Sequence, residues 1–310
     1  MIITPGFVGI DVSKATLDIF DSTTGQGRRI DNTEQAISAL IACWQGQDRF
    51  VLFEATGRYD TALRRALSRH DIPFARVNPA QARDFARAAG FLAKTDAVDA
   101  RMLAAMAKAL RPTPTAPSAP ERERLTQLVR RRDQVVAMRA QEKTRLKEAQ
   151  GGEEHDDIKR HITWLTNEVQ SLDNTIAKLI ADHESLKSDV RRLRSAPGIG
   201  PVAATVLVAL MPELGHRSPK TIAALSGLAP INNDSGRFRG KRRIAGGRRR
   251  VREALYMAAV AAMRSSKRIN AQYNAMLDNG KPPKVALIAI ARKLIVILNA
   301  MQREQKSYAT

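Results

Sequence analysis

Four acidic residues lie where carboxylates could hold a metal ion. Asp11 follows the apolar run Val-Gly-Ile, and Glu54 follows a second apolar run, Val-Leu-Phe. Asp96 and Asp99 are three residues apart in an alanine-rich segment, so both would project from one face of a helix. Like charges at that spacing cost stability unless a cation lies between them, and Mg²⁺ prefers carboxylate, water and phosphate oxygens. The four acids therefore predict a Mg²⁺ site, which Mn²⁺ could also fill.

The chemistry of such a site is metal-assisted cleavage of a phosphodiester. Two ions about 4 Å apart activate a nucleophile and stabilise the leaving oxygen. Each acid alone has a plainer interpretation, because most acidic residues are solvated or form turns, and Asp96 could simply cap the helix that contains Asp99. The combined pattern is more specific, with one acid on the first strand, one on the fourth and a pair on a late helix. It favours the metal site.

An α/β domain is predicted to position these acids. The first 110 residues alternate between short β-rich runs and helical patterns. The strands fall at residues 7–12, 15–21, 27–31, 50–54 and 74–77, and a helix falls at 94–110. The first three strands would form an antiparallel meander, and the last two, separated by helices, would pair in parallel. This order is the one expected of an RNase H-like fold over residues 1–110.

A proline-rich linker and a long helical region follow. Residues 111–120 contain four prolines, which exclude helix and strand. Residues 121–194 are predicted to be helical. Beyond a Gly-Gly break, their apolar residues step alternately by four and three, at Ile158, Ile162, Leu165, Val169, Leu172, Ile176 and Leu179, and Leu186, Val190 and Leu193 resume the register. This heptad stripe favours a coiled-coil hairpin or an oligomer contact over an ordinary amphipathic helix packed on its own domain.

The C-terminal region, residues 195–310, is predicted to be mostly α-helical. It opens with Pro-Gly-Ile-Gly at 197–200 and an apolar helix at 202–210, which together resemble a helix-hairpin-helix element. Gly198 and Gly200 would let the backbone approach a phosphate at the start of that helix. The alternative is a plain turn between helices, since Pro-Gly is common in turns.

The charge balance points to a polyanionic partner. Lys and Arg number 51 against 31 Asp and Glu, a formal charge of +20. Nine of the sixteen residues from Arg237 to Arg252 are basic, enough to clamp phosphates, although the run could also be a solvated loop or a nucleic-acid arm without catalysis. The candidate nucleic-acid contacts are Gly198, Gly200, Arg237, Arg239, Lys241, Arg242, Arg243, Arg248, Arg249 and Arg250.

Cysteine content and hydropathy favour a cytoplasmic protein. A single cysteine, Cys43, forms neither an intramolecular disulfide nor a thiolate zinc site. The first residues show no signal-peptide pattern. The most apolar stretch, 285–298, is interrupted by Arg292 and Lys293, so it predicts a buried C-terminal helix and no membrane span.

Several motifs in combination resemble the DEDD-type insertion-sequence transposases, a family related to the Piv and MooV DNA invertases and including bridge-RNA-guided recombinases. They are GIDVSK, FEATG, KTDAVDA, the proline-rich boundary, PGIG, and GLAP followed by Ser-Gly, and they extend over essentially the whole chain. The resemblance implies a RuvC-like N-terminal domain, a coiled-coil insertion and a C-terminal transposase domain. It places the family's four acids on Asp11, Glu54, Asp96 and Asp99, and the family's nucleophilic serine on Ser235.

The resemblance also implies an activity and partners. Ser235 would attack DNA to form a phosphoserine intermediate while Mg²⁺ polarises the phosphate, and no ATP is needed because transesterification conserves bond energy. The partners would be donor and target DNA, a noncoding bridge RNA, and further protomers in a dimer or tetramer joined by the coiled coil, in the bacterial nucleoid. Two alternatives remain open: a RuvC-like nuclease that uses water on branched DNA, and a DNA-binding protein without catalysis.

Overall fold

The computed structural model describes residues 6–55, 57–91, 95–116, 119–231, 234–235, 238–240 and 242–308, without the side chains of 234–235 and 238–239. The chain divides into two compact units, Met1–Pro117 and Ser118–Thr310. The first is a mixed α/β unit and the second is mostly helical.

Unit 1 contains the five predicted strands, each within one residue of its predicted limits. Its strands are β1 (Gly6–Val12), β2 (Thr16–Asp21), β3 (Gln26–Asp31), β4 (Arg49–Glu54) and β5 (Phe74–Val77). Its helices are α1 (Glu34–Ala42), α2 (Thr61–Arg69), α3 (Pro79–Ala88) and α4 (Asp96–Leu110). The helix predicted at 94–110 begins at Asp96 because the Thr95 hydroxyl accepts a hydrogen bond from the amide of Val98 at 3.3 Å and caps it.

The five strands form one sheet in the order β3-β2-β1-β4-β5. The pairs β1–β2 and β2–β3 are antiparallel, and the pairs β1–β4 and β4–β5 are parallel. The predicted meander followed by parallel strands is therefore confirmed.

Alternating side chains give this sheet two covered faces. Val8, Ile10 and Phe53 belong to a core that includes residues of α1 and α2. Phe7 and Leu52 pack instead in a core that includes residues of α4. Residues of β1 and β4 that share the parity of Phe7 and Leu52 consequently face α4.

The proline-rich segment runs along the edge of the sheet. Residues 111–116 are neither helix nor strand, as predicted. The Thr115 amide donates to the carbonyl oxygen of Phe74 at 2.7 Å, and the Thr115 hydroxyl accepts from the amide of Arg76 at 3.1 Å. These bonds pair part of the β5 edge and attach the segment to unit 1. The next helix begins at Pro120, the last residue of the predicted linker.

Unit 2 is built from eight described helices and four short strands. The helices are α5 (Pro120–Glu148), α6 (Gly152–Asp182), α7 (Glu184–Arg194), α8 (Pro201–Leu210), α9 (Pro219–Leu225), α10 (Arg249–Ser265), α11 (Lys267–Asp278) and α12 (Pro283–Glu304). The strands are β6 (Pro230–Ile231), β7 (Asp234–Ser235), β8 (Phe238–Arg239) and β9 (Arg243–Ile244).

The heptad stripe of α6 packs against α5 of the same chain. Arg132 Nε of α5 lies 2.5 Å from Asp173 Oδ1 of α6, and Glu142 Oε1 lies 3.6 Å from His161 Nδ1, so the two helices run antiparallel. Leu165 and Val169 of the stripe pack with Val135 of α5. The helical-hairpin interpretation therefore describes this region, and an oligomer through it would have to use the outer faces of the hairpin.

One core spans the predicted middle and C-terminal regions. Leu125, Ile176 and Val190, from the middle region, pack in the same buried cluster as residues of α8, α10 and α12. The boundary predicted at 194/195 thus lies inside one compact unit, because the base of the hairpin supplies part of that unit's core.

The apolar C-terminal stretch forms the central helix of this core. Leu294, Ile295 and Leu298 of α12 are buried, which confirms the predicted buried helix. By length and composition α12 is long and apolar enough to cross a membrane, and 56% of its most apolar window is buried within the protein.

Candidate functional site

The first two predicted site residues lie side by side on the α4 face of the sheet. The parallel register pairs Ile10 of β1 with Phe53 of β4, and Asp11 and Glu54 follow one position later on each strand. Both share the parity of the residues that face α4, and both are half-buried. The parallel β1–β4 pairing therefore brings these two acids to the same edge of the sheet.

A glycine of β1 allows α4 to approach this part of the sheet. A Cβ atom at Gly9 would lie 2.0 Å from the carbonyl oxygen of Ala100 and 2.4 Å from the amide nitrogen of Ala104. Such separations are well below van der Waals contact, so only glycine fits here. The backbone of α4 therefore lies directly on β1, and the first turn of the helix reaches the neighbourhood of Asp11.

That first turn contains Asp96 and Asp99. Thr95 occupies the cap position, so the alternative in which Asp96 caps the helix is wrong. The Asp96 carboxylate accepts a hydrogen bond from Nη2 of Arg29 at 2.8 Å instead. Asp96 is thus held by a cation that belongs to the sheet.

An aspartate and an arginine that the sequence reasoning missed complete this cluster. Asp18 of β2 pairs in register with Asp11 on one side and with Arg29 of β3 on the other. Asp18 is buried, and Nε of Arg29 lies 2.9 and 3.1 Å from its two carboxylate oxygens. In the sequence, Asp18 alternates with Leu17 and Ile19 as an ordinary polar residue of a strand would, so only the register between strands shows its place beside Asp11.

The acids of this cluster interact electrostatically. Burial raises the pKa of Asp11 to about 6, assisted by the negative charges of Asp99, Asp96 and Asp18 in that order, while a backbone hydrogen bond from Val12 opposes the shift. The Asp11 carboxylate is therefore costly to ionise without a nearby cation.

The donor set fits a hard divalent cation. Asp11, Glu54, Asp96 and Asp99 offer carboxylate oxygens, the ligands that Mg²⁺ and Mn²⁺ prefer. In the described part of the chain, no three acidic, His or Cys side chains converge on one metal position. Because Arg29 holds Asp96, binding a metal requires side-chain adjustment within the cluster.

Ser235 lies on a short strand pair in unit 2. Asp234 pairs with Arg239 and Ser235 pairs with Phe238, while Pro230 and Ile231 pair with Ile244 and Arg243. The backbone here forms two antiparallel pairs, with β7 and β8 lying between β6 and β9 in the chain and Ser235 at the end of β7. The Ser235 side chain lies outside the described residues.

Two of the candidate nucleic-acid contacts are held by carboxylates of unit 2. Arg248 makes two 2.6 Å hydrogen bonds to Glu213, and Arg250 makes a 2.7 Å bond to Asp133 on α5. Burial acts to raise the pKa of Glu213, but the hydrogen bonds and charge of Arg248 lower it overall. Both arginines therefore stabilise the packing of unit 2.

The other candidate cations differ in their surroundings. Arg249 pairs with Glu253 one turn later on α10 while remaining largely exposed. Arg242 and Arg243 are exposed on and beside β9. Arg237, Lys241 and the side chain of Arg239 lie outside the described residues.

The two glycines of the Pro-Gly-Ile-Gly segment have different roles in the structure. The segment joins α7 to α8. Gly198 has a φ of +76°, and a Cβ there would lie 2.2 Å from the carbonyl oxygen of Ala258 and 2.5 Å from the amide nitrogen of Ala262. Gly200 has no other group within 4 Å of its Cβ position. The absence of a Cβ at Gly198 therefore allows close packing against α10, while Gly200 is exposed.

Comparison with known proteins gives two matching family models. A model for DEDD transposases of the IS110 type, described as "Transposase", matches residues 8–149. A model described as "Transposase IS116/IS110/IS902 family" matches residues 190–274. The first match contains all four acids, and the second contains Ser235 and the basic run.

Similar curated proteins agree with these models. The "Pilin gene-inverting protein" of Moraxella bovis is 29% identical over 316 residues, covering 97% of each chain. A protein of insertion element IS116 from Streptomyces clavuligerus is 30% identical over 49% of this chain and 38% of its own length. A protein of insertion element IS110 from Streptomyces coelicolor is 31% identical over 37% of this chain and 29% of its own length. Residues 8–149 and 190–274 thus match IS110-type transposase models, and the chain is similar to the pilin gene-inverting protein over nearly its whole length.

Proposed function

We propose that this transposase cuts and rejoins DNA through a covalent phosphoserine on Ser235, with a divalent cation held by Asp11, Glu54, Asp96 and Asp99. The observation that carries the proposal is the gathering of acids at the α4 face of the sheet, where neighbouring carboxylates help to raise the pKa of Asp11 to about 6. In a protein that only binds polyanions, such a concentration of negative charge would repel the ligand.

The proposed reaction is a pair of transesterifications. The Ser235 oxygen forms a bond to the scissile phosphorus and loses its proton, while the bond from phosphorus to the 3′ oxygen breaks and that oxygen takes up a proton. The oxygen of a 3′ hydroxyl from another strand then bonds to the phosphorus and loses its proton, while the bond from phosphorus to the serine oxygen breaks and that oxygen takes up a proton. Bound at the four carboxylates, Mg²⁺ or Mn²⁺ would supply charge stabilisation for the phosphate and the leaving oxygen. The number of phosphodiester bonds is unchanged, so no ATP is consumed.

The sheet supports assignment of unit 1 to the RNase H-like, RuvC-like class. Three antiparallel strands followed by two parallel strands give the order β3-β2-β1-β4-β5. Acids at the ends of the first and fourth strands and on a helix against the sheet are suited to metal-assisted phosphodiester chemistry. In this proposal unit 1 provides the metal site.

Unit 2 would provide the nucleophile, so the complete site is composite. We propose that the two halves come from different protomers of a dimer or tetramer, assembled through the outer faces of the α5–α6 hairpin. The full-length similarity to a protein named for inverting a pilin gene supports strand exchange between two DNA sites. Cutting and rejoining two duplexes requires more than one nucleophile, which fits an oligomer.

Nucleic acid recognition would rest mainly on backbone contacts. A net charge of +20 supports phosphate binding, and an aromatic content of 5% leaves few side chains to stack on bases. We propose that a noncoding bridge RNA pairs with donor and target DNA and so selects the sequence, while exposed groups such as Gly200, Arg242 and Arg243 contact phosphates.

Removing the Ser235 hydroxyl should abolish covalent attachment to DNA. The protein is co-expressed with the noncoding DNA that flanks its gene, mixed with labelled junction DNA and Mg²⁺, and run on a denaturing gel. Wild type and Ser171→Ala, which changes an exposed serine of α6, should form a protein–DNA adduct, and Ser235→Ala should not. Cleavage that persists in Ser235→Ala without an adduct would instead establish a water-using nuclease, and DNA binding without cleavage by wild type would establish a non-catalytic binder.

Substitutions of the two glycines before α8 should have different effects, one on stability and the other on DNA binding. Gly198→Ala is expected to destabilise the protein by about 2 kcal/mol or more, because its Cβ meets the backbone of α10 at a positive φ. Gly200→Ala should leave the urea midpoint unchanged and weaken binding to duplex DNA if a phosphate lies against that backbone. Unchanged DNA affinity in a normally folded Gly200→Ala protein would remove Gly200 from the proposed interface.

A further inference from the structure

Arg29 links two acids of the cluster. Its Nε donates to the carboxylate of Asp18 at 2.9 Å, and its Nη2 donates to Oδ2 of Asp96 at 2.8 Å. The arginine lies on β3, at the far side of Asp18 from Asp11. It therefore joins the outer strand of the meander to the first turn of α4.

The two ion pairs differ in exposure. Asp18 is 10% exposed, whereas Asp96 is 59% exposed and Arg29 itself is 55% exposed. An exposed ion pair is worth little, so the bond to Asp96 can open at small cost. A buried carboxylate left without its partner is expensive, so Arg29 stays attached to Asp18.

Without Arg29, Asp18 would be a further anion directly beside Asp11. The two aspartates are cross-strand neighbours on the same face of the sheet. The charge of Arg29 offsets that of Asp18, which leaves the cluster with fewer net negative charges than it has acids. Asp96 is meanwhile occupied by Nη2, so a cation must compete with the arginine for it.

We propose that Arg29 is a positioning residue that withholds Asp18 from the metal site and holds Asp96 until a divalent cation displaces it. The inference rests on the proposed metal site and adds a residue that controls its charge. Arg29 thereby lowers the affinity of the cluster for divalent cations and confines binding to the four acids.

The test is Mn²⁺ binding by the purified full-length protein, followed by the electron paramagnetic resonance signal of free Mn²⁺. Arg29→Gln keeps a hydrogen-bond donor and removes the charge, so it should bind Mn²⁺ about three- to tenfold more tightly than wild type. Arg29→Lys keeps the charge beside Asp18 but cannot bridge both acids, so its affinity should lie between those of wild type and Arg29→Gln. Arg28→Gln, one residue earlier on the opposite face of β3, is the matched control and should leave the affinity unchanged.

Changes at Asp18 provide a second measurement with the opposite sign. Asp18→Asn leaves the Arg29 charge without its partner and should weaken Mn²⁺ binding, while Asp18→Asn combined with Arg29→Gln should return the affinity to near the wild-type value. Equal or weaker binding by Arg29→Gln would overturn the inference. Should Arg29→Gln fail to fold, unchanged affinity in Asp18→Asn would overturn it equally.

The same titration separates this inference from the proposed function. If wild type binds Mn²⁺, Asp99→Asn abolishes binding and Arg29→Gln changes nothing, the metal site stands and only the role of Arg29 fails. If wild type binds no Mn²⁺, or Asp99→Asn binds as well as wild type, the metal site itself fails.

Discussion

Asp11→Asn is expected to raise the free energy of unfolding of the protein at pH 7.5 and to abolish DNA strand transfer. The pKa of Asp11 is raised to about 6 from an ordinary value of 3.8, first by burial and then by the charges of Asp99, Asp96 and Asp18. At pH 7.5 the folded wild type must therefore keep a carboxylate ionised in an unfavourable place. Asparagine removes that charge with little change in shape, and it also removes a proposed metal ligand.

The sign of the pH dependence follows from the raised pKa. Well below pH 3.8 the carboxyl is protonated in both the folded and the unfolded protein, and the folded state bears no cost. Between pH 3.8 and 6 the unfolded state ionises while the folded state stays protonated, so stability falls with rising pH and the loss is complete above pH 6. A shift of about two pH units corresponds to nearly 3 kcal/mol, and solvent screening of a half-buried group reduces this to about 1–2 kcal/mol.

Urea denaturation at pH 4 and pH 7.5, without metal, measures this difference. Asp11→Asn should be more stable than wild type at pH 7.5, and the difference should be much smaller at pH 4. Asp31→Asn, an exposed aspartate of β3, should match wild type at both pH values. Saturating Mg²⁺ should narrow the gap at pH 7.5 by stabilising wild type. A variant less stable than wild type at pH 7.5 would contradict the raised pKa.

Gly9→Val is expected to have the largest effect on the stability of unit 1. The Cβ of any residue at position 9 would lie 2.0 Å from the carbonyl oxygen of Ala100, and a valine adds two further methyl groups at that contact. The atoms that this side chain would meet belong to the backbone of α4 and cannot rotate away. The helix must therefore move away from β1, which should cost about 3 kcal/mol or more. Asp96 and Asp99 move with the helix, so Mn²⁺ affinity and strand transfer should fall in any molecules that still fold.

The matched control is Gly27→Ala on β3 of the same sheet. A Cβ there would meet the carbonyl oxygen of Ile19 at 3.6 Å, an ordinary contact. Gly9→Ala should already lower the urea midpoint clearly. Gly27→Ala should change the free energy of unfolding by less than about 0.5 kcal/mol. Equal stability of Gly9→Ala and wild type would show that α4 does not depend on close contact with β1.

Much of unit 1 could be predicted because its signals are local. Strand limits, the meander and the parallel pair follow from short alternating runs and from the lengths of the segments between them. The same pattern placed Asp11 and Glu54 at strand ends, and the β1–β4 pairing makes those ends neighbours. Asp18 and Arg29 could not be predicted as part of the cluster, because their positions depend on the register between β1, β2 and β3, which no single strand reveals.

In unit 2 the sequence correctly indicated helices and an apolar stripe. Which residues pack against or pair with them was decided by the tertiary structure. The heptad stripe on α6 predicts an apolar seam, yet periodicity does not say whether another chain or α5 covers it. The sequence marks Gly198 as a turn residue, but it does not reveal that α10, which begins some fifty residues later in the chain, packs against it. Arg248 and Arg250 belong to a basic run, but folding brings Glu213 and Asp133 to them.

The sequence by itself determined the elements, the basic character and the four acids, because these depend on residue type and short-range spacing. Ser235 could be identified only by resemblance, since nothing in its local sequence distinguishes it from other loop serines. Tertiary structure decided which charges neutralise one another, because ion pairing depends on distances between segments far apart in the chain. For this reason Asp96 is found with Arg29 instead of at a helix cap, and the charge of the acidic cluster could not be counted from the sequence.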